Sequence, residues 1–255
     1  MRRIMKHRCS AEHPVATRGR RSSTMRWGLA IVASSSVIFG MASVSGASPA
    51  AKQTVDVFRI DGEANDGTAT LTRTNSGVSM RISTNVGGLM WDLPFSPPPA
   101  PDVGASWEVG DATTNWFVVF NNPGDCTPEP PPQNACGEDD VRAGIADFLD
   151  GEPYEGGPAG ASVHYVTGHV AGSSSWRAAG SLREGDTSGW LFPSVPLDDA
   201  MTAEVHIIVH SHGQMTDIMP GDRGEALNTV YGGCAPDNGT NICGDAQAAI
   251  FAPPD

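Results

Sequence analysis

The stretch "AEVHIIVHSHGQ" (203–214) places His206, His210 and His212 within seven positions. Neutral imidazole is the commonest side-chain ligand for transition metals, so metal binding is the first chemistry to consider. The local backbone decides which of the three can act together. On a helix, His206 and His210 would share a face at i and i+4, as in metalloprotease helices, with a glutamate directly after the first histidine. Ile207 stands there instead. Val205, Ile207, Ile208 and Val209 are β-branched and contiguous, which favours a strand.

On a strand, Val205, Ile207 and Val209 line one face, and Glu204, His206, Ile208, His210 and His212 line the other. At roughly 3.3 Å per residue, His206 and His210 are about 13 Å apart and cannot share an ion. His210 and His212 are about 6.6 Å apart on one face, which lets two imidazoles converge. The expected metal set is therefore His210 and His212, with Asp217 as the nearest following carboxylate. The ion would be zinc, copper, iron or manganese. A third histidine would come from His164 or His169. Their odd spacing puts them on opposite strand faces, so at most one joins easily. The competing expectation is structural. Glu204 and His206 then sit on a half-exposed sheet face, and His212 forms a hydrogen bond where the strand ends at Gly213.

Other chemistry is thinly represented. "DGEANDG" (61–67) alternates acidic residues like the start of a calcium loop. Asp66 occupies the glycine position and Thr72 the twelfth, so a hairpin turn fits better. "GEDD" (137–140) suits either a cation or a helix cap. There is no G-x-S-x-G, phosphate loop or dinucleotide fingerprint. Trp91, Trp107, Trp116, Trp176 and Trp190 are scattered rather than set as a sugar platform, and most are expected in the core. No pair of carboxylates stands out for glycoside hydrolysis.

The elements that must position these residues read as strands. "VDVFRI" (55–60), "TATLTRT" (68–74) and "GVSMRISTNV" (77–86) alternate apolar and polar side chains. "TTNWFVVF" (113–120) is apolar on both faces, which predicts a central strand between two packed layers. Residues 161–172 and 174–185 read as a hairpin. "GWLFP", "MTAEVHIIVHSH", "ALNTVYGG" and "AQAAIF" supply the remaining strands. The best helix is "DDVRAGIADFLDG" (139–151), capped by its aspartates. The expected fold is all-β, an antiparallel β-sandwich or jelly roll with one short helix. The run "PFSPPPAPDVG" (94–104) reads as a long loop within a single domain over residues 48–255.

The first 47 residues differ in kind. They hold eight of the sixteen basic residues and one acid, Glu12. The apolar run "LAIVASSSVIFGMASV" and the small residues "SGASPAA" follow, the order of a secretory signal peptide. Met25 opens a signal of ordinary length and is an alternative start. The apolar run is too short and too diluted by serine for a spanning helix, so no stable membrane insertion is expected after cleavage. A secreted or periplasmic location follows.

Beyond residue 47 the chain has eight basic and 28 acidic residues, a formal net charge of −20. Such a surface repels nucleic acid and anionic membranes, and it can attract divalent cations. Adaptation to salt explains it equally. Cys9 lies in the leader, and four cysteines remain: Cys126, Cys136, Cys234 and Cys243. An even number in an exported chain reads as disulfides. Local pairing, Cys126 with Cys136 and Cys234 with Cys243, is the simplest of three connectivities.

Four stretches, "NWFVVFNNPGDC", "CGEDD", "GSLREGDTSG" and "AEVHIIVHSHG", are followed by "GGC" and a last cysteine. Together, over roughly residues 113–250, they resemble a group of exported bacterial proteins of unknown function. Some of the spacing is also similar to chordin-type (CHRD) β-sandwich domains. The resemblance implies a secreted β domain and brings no activity with it. Two functional expectations stand side by side. One is a secreted, non-catalytic protein with a binding or structural role and no cofactor. The other is an exported metal-dependent oxidoreductase, cupin-like or dismutase-like, built on the His-x-His pair.

Overall fold

The computed structural model describes residues 50–60, 67–90, 105–127, 136–149, 155–188, 195–229 and 243–254. Eight strands and one α-helix lie among them: β1 (Ala51–Arg59), β2 (Gly67–Thr74), β3 (Gly77–Asn85), β4 (Asp111–Phe120), α1 (Glu138–Leu149), β5 (Ala161–Val170), β6 (Ser175–Arg183), β7 (Glu204–Gln214) and β8 (Gly244–Phe251). Every strand pairing is antiparallel, in the order β5-β4-β7-β8-β1-β2-β3-β6. The all-β class with one short helix is the one the sequence predicts. Residues Gly46–Asp255 form one compact unit.

β1 joins the two halves of the sheet. Ala51–Val57 pair with β2, and Phe58 and Arg59 pair with β8. The period-two pattern of β3 is borne out, with Val78, Met80 and Ile82 buried and Ser79, Arg81 and Ser83 exposed. These side chains join Leu71, Trp176, Phe117, Ile207, Val209 and Phe251 in the main core. Each such burial stabilises by about 1.5–3 kcal/mol before the entropy of ordering is counted. Trp107, Trp116 and Trp176 are all buried, while Trp91 and Trp190 lie outside the described residues.

β4 is central, as its two apolar faces predict, with β5 on one side and β7 on the other. Phe117 and Val119 enter the main core. Trp116 and Phe120 point the other way, into a second cluster with Val163, Ile208, Cys136 and Val141 of α1. A third cluster joins Ala112 to Ile218 and Ala226. The segment from Met215 to Thr229 thus folds back over the sheet. Tyr165 Oη donates to Leu227 O at 2.8 Å. A Cβ on Gly168 would lie 2.3 Å from that same carbonyl oxygen, so only glycine admits this close approach.

Three expected elements are corrected. β5 and β6 follow one another in the chain but form no hairpin: β5 pairs with β4, and β6 pairs with β3. The small residues between them carry the chain from one half of the sheet to the other. "ALNTVYGG" does not begin as a strand, since Glu225–Leu227 form a 3-10 turn, and its residues from 230 onward lie outside the described set. The odd spacing of His164 and His169 does not separate them. A β-bulge lets His164 stand opposite Phe117 and His169 opposite Thr113, two residues on the same face of β4. "GWLFP", the acidic turn at 61–66, the proline-rich run and residues 1–47 lie outside the described residues.

Arg73 on β2 is fully buried, and period-two reasoning gave it no role. Its Nη1 donates to the carbonyls of Ala200 and Ala203 at 2.7 Å each, and its Nη2 to those of Phe251 and Ala252 at 3.0 and 3.1 Å. Nε donates to Gln53 Oε1 at 3.2 Å. Burial lowers its pKa to about 10, and the charge of Glu204 works against that shift.

Candidate functional site

β7 is positioned by its neighbours. Val205, Ile207 and Val209 face the main core, and β4 and β8 flank the strand. The opposite face was expected to be half exposed. It is buried: His206 is nearly inaccessible, and His210 and His212 are fully so. The reason is the layer above it. The second cluster covers this side of β4, β5 and β7, and the 215–229 segment folds over the neighbouring end of β4. The histidines are therefore interior residues of a central strand, not surface or edge residues.

His206 stands apart from the other two. Its Nε2 lies 2.7 Å from Glu204 Oε1, and the same oxygen accepts the Cys136 backbone N–H at 2.8 Å. Phe120 packs on the ring, with centroids 5.0 Å apart. This dyad anchors the segment bearing the Cys126–Cys136 disulfide, which is present with Cα atoms 5.1 Å apart. Asp140 serves the same segment. It accepts N–H groups from Thr127 and Gly137 at 2.8 and 2.9 Å, so "GEDD" is explained as a cap.

His210 and His212 come together as their spacing predicts. Their ring centroids are 4.7 Å apart, edge to face. His210 Nδ1 lies 2.7 Å from Asp245 Oδ1, on the neighbouring strand β8. Asp245 retains some exposure at 16 %. A ring N–H donated to a carboxylate fixes the tautomer and leaves the other nitrogen with its lone pair. That other nitrogen, His210 Nε2, is buried and has no hydrogen-bond partner among the described residues. His212 Nε2 lies 3.0 Å from Thr114 Oγ1, which also accepts the Trp116 indole N–H at 2.8 Å. His212 Nδ1 lies 3.9 Å from Cys243 Sγ. One ligand atom each from His210, His212 and Cys243 fall within 4.8 Å of one another.

The predicted third ligand, Asp217, is not part of this group. β7 runs through Gly213, at φ +76°, to Gln214, and the chain then turns. Asp217 lies in that turn and is exposed, with Thr216 Oγ1 donating to its carboxylate at 3.2 Å. Two groups were not read from the sequence as members of this site: Asp245 on β8, and Cys243 just before that strand, which was expected only as a disulfide cysteine. Cys243 and Asp245 alternate along "CGDAQ", and a bulge beside His210 sets Asp245 opposite it. The alternation was visible in the sequence; the pairing of β8 with β7 was not.

His164 and His169 do not join the site. His164 is fully buried behind the other face of β4, with Nε2 2.9 Å from Ser162 Oγ. Burial lowers its pKa to about 4. His169 stacks on Trp176 with centroids 3.7 Å apart, and desolvation lowers its pKa too. Cys243 is itself disulfide-bonded. Cys234, its expected partner, lies outside the described residues.

No helix of the described residues is long and apolar enough to cross a membrane. No protein-family model, curated protein or solved structure matches the chain significantly.

Proposed function

We propose that this is an exported, non-catalytic β protein with a binding role, centred on a transition-metal ion held by His210 and His212. The observation that carries this reading is the buried Nε2 of His210, which has no hydrogen-bond partner among the described residues. Leaving such an atom unpaired costs about 1–3 kcal/mol, and a metal ion would remove that cost. Its neighbours fit the role. Asp245 holds the opposite nitrogen as carboxylates do behind metal-bound histidines, and His212 offers a second imidazole close by.

Burial favours binding over catalysis. A catalytic ion keeps an open position for substrate, whereas both imidazoles here are fully buried. A cupin-like or dismutase-like oxidoreductase would need a third histidine, and His164 and His169 lie on the other face of β4. Export is supported by the basic, apolar and small-residue order of the first 47 residues and by the disulfides.

Equilibrium dialysis against zinc or copper in non-reducing buffer tests this reading. One ion per chain is expected, lost in His210→Ala and weakened by about 10–100-fold in Asp245→Asn. No bound ion, or binding unchanged in His210→Ala, contradicts it.

A further inference from the structure

Two neutral imidazoles are a poor cage for a divalent ion at a buried site. Asp245 brings one negative charge, so a dication held by His210 and His212 leaves about one uncompensated positive charge. Cys243 lies within 4.8 Å of both histidines' ligand atoms. As a disulfide sulfur it is a weak donor and carries no charge. As a thiolate it would complete three ligands and balance the dication.

We infer that the Cys243 disulfide is a redox gate on this metal site, and that opening it converts a weak two-histidine site into a tight His210–His212–Cys243 centre for zinc or another thiophilic ion. This rests on the metal-binding reading and adds the third ligand and its control. An external dithiol would open the gate by thiol–disulfide exchange. Its two thiols give two electrons and two protons to the protein disulfide, leaving the reagent oxidised and two protein thiols. The incoming ion then displaces the proton of the Cys243 thiol and bonds to sulfur. The geometry already suits that outcome. The sulfur lies 3.9 Å from His212 Nδ1, and His210 Nε2 has no other partner among the described residues.

The test compares three forms of the full chain, purified without reductant: the unaltered protein, Cys234→Ser, and Cys234→Ser with Cys243→Ser. The single variant is designed to leave Cys243 as a thiol while sparing the Cys126–Cys136 disulfide. Zinc affinity is measured by competition with a chromophoric chelator. Cobalt(II) is added as a spectroscopic probe, since a sulfur ligand gives a near-ultraviolet charge-transfer band that imidazoles do not. Zinc affinity is expected to rise by about 100-fold or more in Cys234→Ser. The cobalt band should appear in that variant and in neither of the other two. Circular dichroism checks that the variants fold, and the unaltered protein under mild dithiol reduction gives a second route to the thiol.

If the unaltered protein binds zinc through His210 but affinity and cobalt spectrum do not change when Cys243 is freed, the gate is wrong and the two-histidine reading stands. If no form binds zinc or cobalt, both are wrong.

Discussion

His164 shows what burial does to a histidine when the charge of Asp186 only partly offsets it. Its folded-state pKa is lowered to about 4, against about 6.5 in the unfolded chain. Between those values the unfolded state binds the proton and the folded state does not. Stability therefore rises with pH across that window and is lost as pH falls from about 6.5 towards 4, by up to roughly 3 kcal/mol. Urea unfolding at pH 7.5, 5.5 and 4.5 measures it. The unaltered protein should lose more stability on acidification than His164→Gln does; parallel losses would put the acid sensitivity elsewhere. His210 sits in a different environment, with Asp245 on one nitrogen. Residue spacing alone found the His210–His212 pair, because alternation on a strand is a strict geometric rule. It failed for Asp217, because nothing in "HGQMTD" says how sharply the chain turns after Gly213.

The elements explain why the histidines are interior. A period-two reading sees polar residues on one face of β7 and assigns that face to water. Yet β7 lies between β4 and β8, beneath a second cluster contributed partly by α1. Strand order and covering layers are tertiary facts that local periodicity does not encode. The β5–β6 hairpin failed for the same reason: adjacency in sequence is a good guide to pairing but not a rule. Strand existence was legible because β-branched and alternating runs are local signals, as in β3 and β4. The role of Arg73 was illegible: alternation puts it on the face of Ala69 and Leu71, but nothing local names the carbonyls that meet a guanidinium there. Its guanidinium ties β2 to the chain entering β7 and to the end of β8. Arg73→Met should destabilise by about 3–5 kcal/mol by leaving buried carbonyls unpaired. A denaturant midpoint close to that of the unaltered protein would show that those carbonyls find other partners.

At the scale of the whole molecule, charge dominates. The chain beyond residue 47 carries a formal net charge of −20. At about 0.15 M ionic strength the screening length is about 8 Å, so much of this self-repulsion acts in dilute buffer and fades in molar salt. The melting temperature is expected to rise between low-salt buffer and 1 M sodium chloride. A fall, or no change, would mean that favourable ion pairs outweigh the repulsion. The same field concentrates cations near the surface, which helps an ion reach a site whose Cys243 and Asp245 are partly exposed.

The central claim is that His210 and His212 hold a metal ion, and His210 Nε2 reports on it most directly. Nuclear magnetic resonance of the imidazole nitrogens, in protein labelled at histidine and titrated with zinc, observes that atom itself. The account predicts that the Nε2 resonance of His210 shifts from an unligated value to a metal-bound one as zinc saturates the site, while His164 and His206 stay unchanged. If His210 Nε2 does not move, or moves together with every other histidine, the metal site does not exist.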